Sequence, residues 1–159
     1  MTIAQQLSTH FRQLYFGGNW TSVNLKNTMC DIDYKMATTK IADCNTIAAL
    51  FYHINYYITE VLKVFKGAPL TAHDKFSYLV PAIENEEDWT KMLEQAWTNA
   101  EEFASHVEKI PETKLGDAFT DEKYGNFYRN ITGIIEHSHY HMGQIVMLKK
   151  MLNINQSKT

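Results

Sequence analysis

The chain has 159 residues, 45% of them apolar, and a formal net charge of −3 with its histidines neutral. That length and apolar content suit one packed domain and exclude wholesale disorder. The acidic balance excludes nucleic acid as an expected partner, and neither a signal peptide nor a membrane-length apolar run is present, so a cytoplasmic protein with no membrane partner is expected.

Thr2 is placed to cap a first helix carrying Ile3, Leu7, Phe11 and Leu14 at helical spacing, and Gly17 and Gly18 stop it. Ser22 then opens one short extra helix with Leu25, Met29, Ile32 and Met36 on one side. Cys30 and Cys44 lack C-x-x-C spacing and read as reduced, small buried hydrophobes. Asp43 or Asn45 caps a second long helix whose stripe is Ile47, Leu50, Phe51, Ile54, Ile58, Val61, Leu62 and Phe65, with Lys63, Lys66, Gly67 and Pro69 as stop signals. Residues 68–83, with Pro69 and Pro81, read as a connection. Asn85 caps a third long helix with acidic residues at its start, and Trp89, Met92, Leu93, Ala96, Trp97, Ala100, Phe103 and Val107 face its core. Pro111 ends it, and residues 112–124 form a second connection. The last helix starts near Asn126 and runs to about Asn153.

No segment alternates with period two, so the expected class is all-α, a four-helix bundle with a short extra helix after the first. A single domain covers residues 1–154, and the tail 155–159 is expected to fray. Two long connections allow parallel as well as antiparallel neighbours.

The last helix contains "IIEHSHYHMGQIV". His137 and His141 are four residues apart and share a face, whereas His139 points away and reads as a surface histidine. Two imidazoles one turn apart can offer nitrogens to one cation, and His53, in the middle of the second long helix, is the obvious third ligand. Three neutral histidines leave a position for water or substrate, the arrangement of a catalytic site. Spacing alone leaves the alternative open: three unrelated histidines, each satisfied by a carbonyl or tyrosine. His10 lies near the apolar edge of its helix, and His73 and His106 are not assigned as ligands. Tyr56, Phe127 and Tyr128 read chiefly as core filling; Tyr57, Tyr140 and Gln144 are the pocket candidates, Gln144 as a group that orients a ligand. Glu60 reads as a solvated charge and Glu136 as facing outward. Gly133 reads as a point of close helix packing; Gly143 is either that or room beside the site. No residue is singled out for the chemical step.

"GIIEHSHYHMGQIVMLKK", "HINYYITEVLKVFKG", "EEDW", "YGNFYRNITG" and "GGNWTSVNL" together resemble the DinB-like family of bacterial proteins over almost the whole chain. The resemblance implies an up-down-down-up bundle. It also implies a divalent cation, nickel or zinc, held by one histidine of the second long helix and two of the last; by motif these are His53, His137 and His141. It further implies a metal-dependent enzyme acting on a small-molecule substrate, with transfer of a low-molecular-weight thiol or hydrolysis as compatible reactions, and a homodimer. A non-catalytic bundle that holds a metal or small ligand in a stress response is the alternative function.

Overall fold

The computed structural model describes residues 1–156, with side chains described through residue 154. Among these residues the long elements are all helices: α1 (Ile3–Phe16), α2 (Leu25–Met29), α3 (Tyr34–Thr38), α4 (Ile47–Phe65), α5 (Glu86–Glu108) and α6 (Phe127–Gln156). Short 3₁₀ turns occupy Asp74–Phe76, Glu112–Gly116 and Glu122–Tyr124, and a lone bridge pairs Ala118 with Asn126. No helix among the described residues is long and apolar enough to cross a membrane.

Local chemistry sets the helix ends. Thr2 and Gln5 close a capping box: the Thr2 hydroxyl accepts from the Gln5 N–H at 3.2 Å, and Gln5 Oε1 accepts from the Thr2 N–H at 2.9 Å. Gly17, at φ +112°, ends α1 in a conformation that suits glycine. α4 ends in a Schellman turn, in which the Ala68 N–H reaches the Lys63 carbonyl and the Gly67 N–H the Val64 carbonyl, both at 2.9 Å, with Gly67 at φ +89°. Asn85 caps α5 through the Asp88 N–H, and Asn126 caps α6 through the Arg129 N–H.

Three boundaries differ from the sequence reading. The segment after α1 forms two short helices in place of one. Ser22 stands at φ +58°, outside the extended geometry of a helix cap, so Asn24 caps α2 and Asp33 restarts the chain as α3. Leu25, Met29, Ile32 and Met36 are nonetheless all buried. α4 is capped by Thr46 through the Ala49 N–H, in place of Asp43 or Asn45. α6 runs on to Gln156, so residues 155 and 156 of the expected frayed tail are helical, and residues 157–159 lie outside the described residues. The cysteines also differ: both are exposed, Cys30 because it sits at the end of α2 and Cys44 because it sits in the turn before α4.

Four long helices share one core. Phe11, Tyr15, Phe51, Trp89 and Phe103 are fully buried there, and burying a side chain of Phe size contributes roughly 1.5–3 kcal/mol. α1 and α5 run in opposite directions. Ser8 Oγ donates to the Ala104 carbonyl at 2.8 Å, and one turn on Arg12 reaches Glu101 and Glu108, each at 2.8 Å. Such partly exposed ion pairs add at most about 1 kcal/mol each and chiefly fix register. α4 and α5 run in the same direction, with Phe51 against Trp89 and Trp97, and Phe65 against Phe103. α4 and α6 run in opposite directions, with Phe65 stacked on Phe127 at one end and His53 facing His137 and His141 further along. The Trp89 indole N–H donates to the Ile32 carbonyl at 2.7 Å, tying the α2–α3 segment to α5.

Candidate metal centre

The α4–α6 contact places three imidazoles together. His53 comes from the middle of α4, and His137 and His141 from successive turns of α6. Each offers one ring nitrogen within 4.8 Å of the other two, close enough to hold one cation. His53 and His141 are buried and His137 is half-buried. The Nε2 atoms of His137 and His53 lie 2.9 Å apart. Two ring nitrogens at that spacing can share a proton or a cation, and it is a separation that two nitrogens at about 2.0–2.1 Å from one ion can have.

The groups behind the rings decide which nitrogen faces inward. The Ser77 hydroxyl donates its single proton to the Asp74 carbonyl at 2.7 Å, so it accepts from His53 Nδ1–H at 2.8 Å. That leaves the lone pair of His53 on Nε2. Gln144 Oε1 is 2.7 Å from His141 Nδ1, and a carbonyl oxygen only accepts, so His141 likewise carries its proton on Nδ1 and its lone pair on Nε2. Orientation of this kind by an outer hydrogen bond is what metal-ligating histidines use.

Aromatic rings complete the packing. Tyr78 stacks on His53 with centroids 4.1 Å apart and planes 13° from parallel. Tyr57 stands edge-on to both His53 and His137, at 5.2 and 5.1 Å. The Tyr57 hydroxyl donates to Asp74 Oδ1 at 2.8 Å. Burial first, then the Asp74 carboxylate, pushes the Tyr57 hydroxyl up to about 12, so it stays a donor. Burial first, then the neighbouring His141, pushes His53 down to about 4. Burial with His141 and His53 does the same for His137, also down to about 4. Both rings are therefore neutral near pH 7, with lone pairs available to a cation.

All three histidines line one cleft of about 860 Å³, at the upper end of the size usual for small-molecule sites. Of the pocket candidates, Tyr57 lines this cleft. Tyr140 and Gln144 line a separate groove of about 570 Å³ together with Gly143. The Tyr140 ring is exposed and meets His141 only along its edge, at 4.8 Å, and Gln144 touches the site from behind, through His141 Nδ1.

Several other residues are placed differently from the sequence reading. Glu60 is buried, not solvated; its carboxylate is closed off by Lys63 and by the Thr71 hydroxyl at 3.2 Å. Gly133 is not a point of close approach: a Cβ there would meet nothing within 4 Å, and the residue opens onto the cleft. His139 is half-buried beside His10, with ring centroids 6.2 Å apart, and is not a free surface histidine; burial lowers its pKa. His10 itself is exposed, and Glu136 is exposed at the cleft wall. His73 and His106 lie outside the cluster.

Sequence reasoning missed Asp74, Ser77 and Tyr78. All three come from the connection between α4 and α5, where no periodicity marks a residue as inward-facing. The only local signal is the polar-aromatic run "HDKFSY", which is common in loops. No family model, no curated protein and no solved structure matches this chain. What the fold and the site define is an all-helical protein with a three-histidine cluster on the wall of a cleft.

Proposed function

We propose that this chain is a divalent-metal-dependent enzyme of the DinB-like type, acting on a small molecule by transfer of a low-molecular-weight thiol or by hydrolysis. One observation carries the reading: imidazoles from two different helices converge to within 4.8 Å on the wall of an 860 Å³ cleft, with the protons of two of them fixed on the far nitrogen. His53, His137 and His141 would hold the cation, and nickel and zinc both suit imidazole. Such an ion supplies Lewis acidity, drawing a water or thiol towards its anionic form near neutral pH. The chain's own groups do the rest. Ser77 and Gln144 orient the rings, Tyr57 and Tyr78 hold them in place, and the Asp74 carboxylate, fixed by the Tyr57 hydroxyl, stands on the cleft wall as a proton acceptor.

The antiparallel α1–α5 and α4–α6 contacts and the parallel α4–α5 contact support an up-down-down-up four-helix bundle. The exposed row Tyr140, Met147, Met151 and Ile154 on α6 supports a homodimer. The exposed, unpaired cysteines fit a reducing cytoplasm.

Elemental analysis of tag-free protein tests the proposal, with wild type beside His137→Ala. About one nickel or zinc per chain in the first, and loss in the second, is the expected outcome; wild type without metal refutes it. A screen of the metal-loaded protein for thiol transfer and ester hydrolysis then separates an enzyme from a non-catalytic metal-binding bundle.

A further inference from the structure

The cleft extends well beyond the histidines, and one row of α6 runs along it. Arg129, Gly133, His137 and His141 are spaced four apart, so each neighbouring pair shares a face and the row winds slowly around α6, and all four line the cleft. At 1.5 Å per residue, the Arg129 backbone stands about 12 Å from that of His137 along the helix, and the Arg129 stem leans back over residue 125, which lengthens the span to its guanidinium. Between them Gly133 contributes no side chain, and a Cβ at that position would meet nothing within 4 Å. A helix-interior glycine costs about 1 kcal/mol relative to alanine. Here the residue leaves open space on the row between a cation and the histidine cluster.

The charges of the cleft are unevenly committed. Glu60 is closed by Lys63 and Thr71, and Asp74 is held by the Tyr57 hydroxyl. Lys123 pairs with Asp121. The Arg129 guanidinium pairs with no carboxylate among the described residues. Its stem is nevertheless seated: the Arg129 Cδ lies 2.8 Å from where a Cβ on residue 125 would sit, a place left empty because residue 125 is glycine at φ +75°. Glu136, the remaining carboxylate of the wall, is exposed; it lies three residues beyond Gly133 and seven beyond Arg129, on the same side of α6 as both.

We propose that this row is a substrate track: an elongated small molecule docks a terminal carboxylate on Arg129, passes over Gly133 and presents its reacting end at the three histidines. Arginine is suited to the far end because its planar fork binds carboxylates in two-point fashion. The track rests on the metalloenzyme reading and adds to it a substrate class, anionic at one end and long enough to span the gap.

Isothermal titration calorimetry on zinc-loaded protein tests it, with 8-mercaptooctanoate, 8-mercapto-1-octanol and 3-mercaptopropionate as probes. Zinc content is measured for every sample. The long mercapto-acid should bind roughly tenfold more tightly than the alcohol of equal length, and Arg129→Ala should abolish that difference while leaving the alcohol unchanged. Gly133→Leu, which raises helix propensity and so keeps the fold, should weaken both long probes and leave the short one unaffected. Zinc-loaded protein that binds the long acid no better than the alcohol, or an Arg129→Ala variant that keeps the preference, overturns the track alone. Protein that takes up neither zinc nor nickel overturns the metalloenzyme reading and the track together.

Discussion

Replacing Ser77 with alanine should loosen the candidate metal site without removing a ligand. The Ser77 hydroxyl is fully buried and faces His53 Nδ1 at 2.8 Å, beside the Ser77 backbone. Without it, a buried N–H loses its hydroxyl acceptor, at a cost of about 1–3 kcal/mol. The His53 ring can then recover hydration only by turning, or by moving its proton to Nε2, and either change removes the lone pair from the cluster. The stacked Tyr78 ring still restrains rotation, so the lower half of the usual 10–100-fold loss for such outer partners is expected: zinc affinity falls about tenfold. The metal-free protein should also melt roughly 2–12 °C lower, since each 1 kcal/mol is worth about 2–4 °C at this size. The assay is competition with a fluorescent zinc chelator, paired with thermal melts. Ser8→Ala is the matched control: that hydroxyl is equally buried and donates to the Ala104 carbonyl at 2.8 Å, on the α1–α5 side of the core. It should lower the melting temperature and leave zinc affinity alone. If Ser77→Ala binds zinc like wild type, or if both variants lose affinity equally, the argument that Ser77 fixes the His53 tautomer is wrong.

Two further outcomes follow from the same contacts. Phe103→Ala empties a fully buried site where the ring meets Phe11 at 4.5 Å and Phe65 at 5.6 Å, and should cost about 3–5 kcal/mol by urea denaturation with an unchanged m-value. The pH dependence of metal-free protein has a defined sign. His53 and His137 are held near 4 in the fold, against 6.5 as the ordinary value, so the unfolded chain binds more protons between those limits. Stability is therefore full above pH 6.5 and declines as pH falls through about 4. NMR titration of the imidazoles should give midpoints near 4, and His137→Gln should flatten the stability slope over that window; a slope unchanged in the variant would refute the assignment.

Much of the fold was legible because its signals are local. Thr2 with Gln5, Gly17, Gly67 and Asn85 act on residues within one turn, so their identities suffice. The boundary before α4 was missed by one residue because Asp43, Asn45 and Thr46 are all competent caps, and only the register of the first turn selects Thr46. Ser22 was misplaced for a related reason: its left-handed backbone depends on how the chain turns away from α1. In the site, His137 and His141 were readable from their spacing of four, and His53 from its place on a long apolar stripe. Ser77, Asp74 and Tyr78 were not, because a loop residue reaches the core by the path of the whole connection and leaves no periodic trace. Glu60 illustrates the same limit, since Thr71, which helps to bury it, belongs to that connection.

The parallel course of α4 and α5 has a consequence for how such a protein can diversify. Helices that run side by side in the same sense cannot be joined by a tight hairpin; the chain must travel back along their length, and residues 66–85 make that return. The return leg is where Asp74, Ser77 and Tyr78 lie against His53. A strap that topology demands thus also forms a wall of the histidine cleft, and substitutions in it can reshape that cleft while the helical frame keeps its packing.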